Sequence, residues 1–164
     1  MYRGKSADSR ETAGHLKEGL NFEGAIADIR AAARALKTRG YEKVGLTGFC
    51  MGGALTIAAA TKSEEFSAAV PFYGIPDLTK YPLETVKIPM LAQFGEHDHA
   101  KGFSDKESAL NLEKAAKAAG LNFRLHLWDA GHSFMNQSFP ERFNPEVAKA
   151  ALEETADFFR TAFA

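Results

Sequence analysis

The run Val44-Gly45-Leu46-Thr47-Gly48-Phe49-Cys50-Met51-Gly52-Gly53-Ala54 constrains this chain more than any other stretch. A β-branched apolar segment meets a glycine-rich turn, and the turn opens into an alanine-rich helical segment, Leu55 to Ala60. This is the pattern of a nucleophile elbow, G-x-S-x-G, with cysteine in the place of serine. The turn demands strained backbone angles at Cys50, and glycines at Gly48 and Gly52 are expected to let neighbouring backbone pass closely. Cys50 would then open a helix, where the helix dipole favours thiolate over thiol and the Met51 amide can face a developing oxyanion. The competing reading is a buried cysteine in a glycine-rich turn. The spacing, with a strand before and a helix after, favours the elbow.

The rest of the chain bounds that reading. At 164 residues it suits a single domain, residues 1–164, with a core of real size. Apolar residues make up 45% and charged residues 25%, the balance of an ordinary globular protein. The formal charge is −1, and lysine and arginine are spread along the chain, so the basic face that nucleic-acid binding needs is lacking. One cysteine leaves no internal disulfide and points to a reducing compartment. No apolar stretch has membrane-spanning length and no secretory signal precedes the fold, so the expected location is the cytoplasm.

The first twenty residues are polar and read as a surface loop, with His15 a solvated loop histidine. Phe22 to Arg39 reads as a helix, because Ile26, Ile29, Ala33 and Leu36 share a face at 3.6-residue spacing. Gly40 is a natural stop. The elbow strand is expected at Val44 to Thr47, and Ser67 to Gly74 reads as a second strand. Met90 to Gly95 is a third, entered from Pro89. A helix is expected over Asp105 to Ala119. Phe123 to Trp128 alternates apolar with polar residues, which predicts a strand with one exposed face. Pro145 to Phe163 carries the pattern of a long final helix. Strands alternate with helices, which implies a mostly parallel sheet with helices on both faces, an α/β fold.

In such a sheet reactive groups gather at the carboxyl ends of strands. Cys50, Asp98 and His132 each fall just past a separate predicted strand, in the order nucleophile, acid, base of the α/β-hydrolases. His132 would take the thiol proton or hold an ion pair with the thiolate, and Asp98 would fix its tautomer. Glu96 and Asp129 stand close enough in sequence to compete with Asp98, although each is more simply a turn residue. The cluster His97-Asp98-His99 invites a metal reading. Two imidazoles and a carboxylate on one short loop make a poor tetrahedral set, so no metal is expected and no cofactor is called for. His126 is most simply a surface histidine.

Gly48-Phe49-Cys50-Met51-Gly52-Gly53, Gly95-Glu96-His97-Asp98-His99 and Ala130-Gly131-His132-Ser133-Phe134 resemble the three active-site motifs of the dienelactone hydrolase family. The resemblance covers nearly the whole chain. It implies a cysteine hydrolase of the α/β-hydrolase fold, acting on a small-molecule ester or enol-lactone, with Cys50, Asp98 and His132 as its triad. It also implies that Arg3, in Tyr2-Arg3-Gly4-Lys5, stands in the segment holding an active-site arginine, and that Tyr73 lines the pocket. Family members that bind dienelactone carry a second arginine four residues after the histidine; here that position is Asn136. A neutral amide cannot make the charge-assisted bidentate contact of a guanidinium.

The resemblance further implies roughly eighty residues ahead of Tyr2 that are absent here, among them the loop supplying the second oxyanion amide. The expected fold is therefore N-terminally truncated, with the elbow strand an exposed edge rather than a central strand. Either the chain is a fragment of a longer product or a partner covers that edge, and a homo-oligomer is expected. The competing class of function is a non-catalytic module stabilised by assembly at that edge.

Overall fold

A computed structural model describes residues 4–9 and 18–164. Tyr2, Arg3 and His15 lie outside the described residues. The ordered elements run α1 (Phe22–Thr38), β1 (Gly45–Phe49), α2 (Met51–Lys62), β2 (Ala68–Phe72), a 3₁₀ turn (Leu83–Thr85), β3 (Met90–Gly95), α3 (Lys106–Ala118), β4 (Phe123–Trp128) and α4 (Pro145–Phe163).

Local chemistry explains the element boundaries. Asn21 caps α1 by accepting from the Gly24 amide at 2.8 Å, and Asn144 caps α4 through the Val147 amide at 3.1 Å, with Pro145 in the first turn. Gly40 and Gly120 follow α1 and α3 with φ of +94° and +69°, values that glycine adopts without a Cβ clash. The expected strands and helices are all present. The elbow strand runs two residues further than expected, to Phe49, and α2 begins at once at Met51, because Cys50 is itself the N-cap.

The four strands are parallel, in the order β1-β2-β3-β4. Consecutive parallel strands are each joined by a crossover, as parallel pairing requires. Proline stands inside β2, where it removes a ladder donor. The β2–β3 register accordingly pairs Ala69 with Met90 and Phe72 with Gln93, on either side of Pro71. All of β2 and β3 is buried, as expected of strands covered on both faces.

Helices α2 and α3 join one apolar cluster with the sheet, Ile57, Leu112 and Ala116 meeting Met90, Phe94 and Phe134. A second cluster joins Ile26 and Ala33 of α1 to Leu55, Ala58 and Ala59 of α2 and to Val44. Helix α2 is buried nearly all round, which suits its run of small apolar residues. Helix α4 meets the sheet at Gln93. The buried Gln93 amide donates to the Ala151 carbonyl (3.2 Å) and to Thr155 Oγ1 (2.7 Å), and its oxygen accepts from Trp128 Nε1 (2.9 Å).

β4 departs from the expected strand with one open face. Only Arg124 is exposed. The polar face carries His126 stacked on Trp128 with ring centroids 3.7 Å apart, and Glu154 of α4 bonds both His126 Nδ1 (2.7 Å) and Arg124 (3.1 Å). A helix supplies a carboxylate to residues that sequence alternation assigns to solvent, so His126 is held rather than simply exposed. At the other side β1 has β2 as its one neighbour among the described residues, and Thr47 and Phe49 are exposed.

Candidate active site

Cys50 sits between β1 and α2 with φ 54° and ψ −116°, in the left-handed region that β-carbon sterics disfavour. Two hydrogen bonds hold it there: its amide donates to the Phe72 carbonyl (3.1 Å), and its carbonyl accepts from the Ala54 amide (3.1 Å). Three glycines allow that packing. A Cβ at Gly48 would lie 2.2 Å from the Gly52 carbonyl oxygen, one at Gly53 would lie 2.2 Å from that of Phe72, and one at Gly74 would lie 2.0 Å from that of Cys50. The expected role of Gly48 agrees with this, and that of Gly52 does not. A Cβ at Gly52 meets nothing within 4 Å, because this residue faces away from β2 while Gly53 backs directly onto it. Met51 is the first residue of α2, so its N–H belongs to the group that a helix leaves without an intrahelical acceptor.

His132 lies beyond β4 at the start of the turn 132–135, in which Ser133 has φ 66°. Its Nε2 is 3.3 Å from Cys50 Sγ and its Nδ1 is 2.7 Å from Asp98 Oδ2. The Asp98 side chain is wholly buried, and the Ala100 amide donates to its second oxygen at 2.9 Å. Burial raises the Asp98 carboxyl, but hydrogen bonds from His132, Ala100 and Ser104 outweigh it and hold the group below its ordinary value. The His132 imidazole is pushed up to about 9, first by the Asp98 hydrogen bond and then by Cys50, against the opposing effect of burial. The other two candidate carboxylates are engaged elsewhere: Glu96 with Lys106, and Asp129 with His97 at 2.7 Å.

Tyr73 is almost fully buried at φ 34° and presents its ring edge-on to His132, centroids 5.1 Å apart. Burial, with the nearby Cys50 charge second, pushes its phenol well above the ordinary tyrosine value. A hollow of 350 Å³ opens beside the thiol, lined by Phe49, Cys50, Tyr73, Ser133, Met135 and Asn136. The Asn136 side-chain oxygen accepts from the Ser138 amide at 3.0 Å, which leaves its NH₂ group as the end available to the hollow. Thus Cys50, Met51, Tyr73, Asp98, His132 and Asn136 gather at one end of the sheet. Sequence reasoning missed Ser104, fully buried with its hydroxyl 3.1 Å from His132 Nδ1, and the Phe49 wall. Phe49 was legible as a neighbour of the thiol, whereas the position of Ser104 depends on how the 98–105 loop folds.

A parallel sheet with a strained cysteine elbow at one strand end and an acid and a histidine at two others defines an α/β-hydrolase. Its backbone is similar to that of a dienelactone hydrolase-type protein from Klebsiella pneumoniae subsp. pneumoniae, with a TM-score of 0.81 at 20% identity over 94% of this chain and 68% of that one. Residues 1–163 match the model of the dienelactone hydrolase family, and the chain belongs to that family of hydrolases. It is 32% identical to protein usf of Aquifex pyrophilus over 98% of its own length and 71% of the relative's. It is 34% identical to carboxymethylenebutenolidase of Pseudomonas putida, over 91% of its length and 62% of that enzyme's. Among the described residues no helix is long and apolar enough to cross a membrane.

Proposed function

We propose that this chain hydrolyses small esters or lactones through a Cys50 thiolate, with His132 as proton shuttle and Asp98 as the group that orients it. The observation that carries the proposal is the continuous path Sγ–Nε2–Nδ1–Oδ2, 3.3 Å and then 2.7 Å long, at a helix N-terminus. A histidine pushed up to about 9 beside a thiol favours the imidazolium–thiolate pair at neutral pH.

In the first half-reaction the thiolate attacks the ester carbonyl, and the carbonyl π pair moves onto oxygen. The Met51 N–H donates to that oxyanion. Collapse breaks the bond to the alcohol oxygen, which takes the proton from His132 Nε2 and leaves. A thioester remains on Cys50 with a neutral imidazole beside it. Water then gives a proton to Nε2 as it attacks the thioester, the acid departs, and the ion pair is restored.

The hollow limits the substrate. Beside the thiol its described walls are aromatic, thioether, hydroxyl and amide, which suits a compact acyl group and supplies a neutral donor, Asn136, where a carboxylate would need a cation. The same proposal includes assembly with a second copy of this chain and a place for Arg3 at the substrate.

The test is intact mass after brief exposure to p-nitrophenyl acetate. An added acetyl on the parent protein, absent from Cys50→Ala, is expected, together with a loss of about four to six decades in kcat. An alanine variant that hydrolyses the ester as fast as the parent overturns the proposal.

A further inference from the structure

Ser104 has no exposure at all, yet its hydroxyl belongs to no secondary-structure cap. It lies in the loop between Asp98 and α3, and that loop is built around one backbone oxygen. The Ala100 carbonyl accepts from the amides of Phe103 (3.1 Å), Ser104 (3.0 Å) and Asp105 (3.2 Å). Gly102, at φ +74°, makes the reversal possible, and its amide donates to the Asp105 carboxylate at 2.8 Å. The Ile75 amide, just past β2, donates to the Phe103 carbonyl at 2.9 Å and fixes the loop to the sheet. The Ser104 Oγ emerges from this framework 3.1 Å from His132 Nδ1 and within bonding reach of the Asp98 carboxylate.

We propose that Ser104 is a positioning residue for the hydrolysis, closing a three-membered ring of hydrogen bonds with Asp98 and His132. This rests on the reading of His132 as the proton shuttle. The donors and acceptors admit one consistent arrangement. An ionised Asp98 only accepts, so the Ser104 O–H donates to it. The Ser104 oxygen is then free to accept from His132 Nδ1–H, which also donates to Asp98 Oδ2. The Nδ1 proton is shared between two acceptors, and the ring cannot rotate or adopt the other tautomer without losing both. The Nε2 position is thereby kept aimed at Cys50 Sγ through every protonation state of the cycle.

A buried hydroxyl without such a role would be a liability, because desolvation of a hydroxyl is offset only by bonds it makes. Both of the bonds identified here lead to the pair that orients the imidazole. Tyr73 braces the same ring from its edge but offers no acceptor to Nδ1.

The test compares the parent with Ser104→Ala, and uses Ser104→Cys, which keeps the volume without a strong donor, should alanine fail to fold. Two readouts are taken. For p-nitrophenyl acetate, kcat is expected to fall about 10- to 100-fold with KM unchanged, the effect of a misaimed catalytic group rather than of lost binding. In resting protein labelled with ¹⁵N-histidine, the downfield Nδ1–H resonance of His132 is expected to move upfield and exchange faster with water. The second readout needs no turnover. It therefore judges Ser104 even if Cys50→Ala shows that the thiol is not the nucleophile. An unchanged His132 resonance overturns the proposal, whether or not the variant melts at a lower temperature.

Discussion

The two edges of the sheet end in different ways, and each delivers one of the two groups that face one another across the site. β4 carries Arg124 and His126 tied to Glu154 of α4, with Trp128 stacked on the histidine and bonded to buried Gln93. A charge on the strand and a helix clipped over it give that side little to offer another strand. β1 reads Gly45-Leu46-Thr47-Gly48-Phe49, with no charged residue, and Thr47 and Phe49 are exposed. The contrast extends to the site. Cys50 is fixed by its backbone, through positive φ and glycine contacts closer than any Cβ allows. His132 is fixed through its side chain, by Asp98, Ser104 and the edge of Tyr73. Among the described residues each outer strand has one ladder partner, but Cys50 is held by its chain and His132 by its side-chain contacts.

The largest effect should come from breaking the side-chain scaffold. His132→Gln is expected to cost several decades in kcat, comparable with loss of the nucleophile, because the two act as a unit. The same variant tests the pH linkage. A histidine raised from 6.5 to about 9 binds its proton more tightly folded than unfolded. Its contribution to stability is complete below pH 6.5 and disappears as pH rises through about 9. Asp98 has the opposite sign: its depressed value contributes above the unfolded carboxylate range, and the contribution is lost as pH falls through the folded value. Melting temperature against pH, measured in Cys50→Ala so that no thiol proton offsets the change, should therefore decline above pH 6.5, and less so when His132→Gln is added. Equal declines in both would remove His132 from that account.

A smaller effect should follow at the β4 edge. Trp128→Phe keeps a ring over His126 but removes the donor to the oxygen of buried Gln93. An unpaired buried amide oxygen costs about 1–3 kcal/mol, so urea denaturation should show a lower midpoint at unchanged slope. Catalysis should change little, since Gln93 points to α4 and away from the thiol. A variant as stable as the parent would mean that the clip contributes packing alone.

How much of this was legible beforehand follows the same division. Backbone-determined features were readable, because periodicity and glycine spacing act locally. β3, β4 and α4 have the bounds expected from pattern, and the three strand-end residues converge. Features made by side chains crossing between elements were not readable. Glu154 reaches a strand twenty-eight residues away in sequence from the nearer of its partners, and nothing in the alternation of Phe123 to Trp128 shows that a helix will supply a carboxylate. Ser104 approaches His132 only because one carbonyl, Ala100, collects three amides. The exchange of Gly52 for Gly53 as the crowded glycine is an error of one helical step, about 100° of rotation, which motif spacing alone does not resolve.

The smallest energetic effect should fall on β1, and there the informative quantity is association rather than stability. An uncharged edge with one ladder partner among the described residues can pair with a second copy of itself, strand against strand about a two-fold axis. Such pairing would satisfy the outward amides and carbonyls of Gly45–Phe49 and cover Phe49, which is 45% exposed. Thr47→Lys places on β1 the kind of charge that Arg124 places on β4. It gives up the bond from Thr47 Oγ1 to the Val70 carbonyl, 2.8 Å, at a cost of about 1 kcal/mol. Sedimentation velocity at micromolar concentration should then show the parent associating and Thr47→Lys shifted toward monomer, with both melting cooperatively. A parent that sediments as a monodisperse monomer would show that this edge is protected without pairing, and the difference between the two edges would then be one of sequence and not of behaviour.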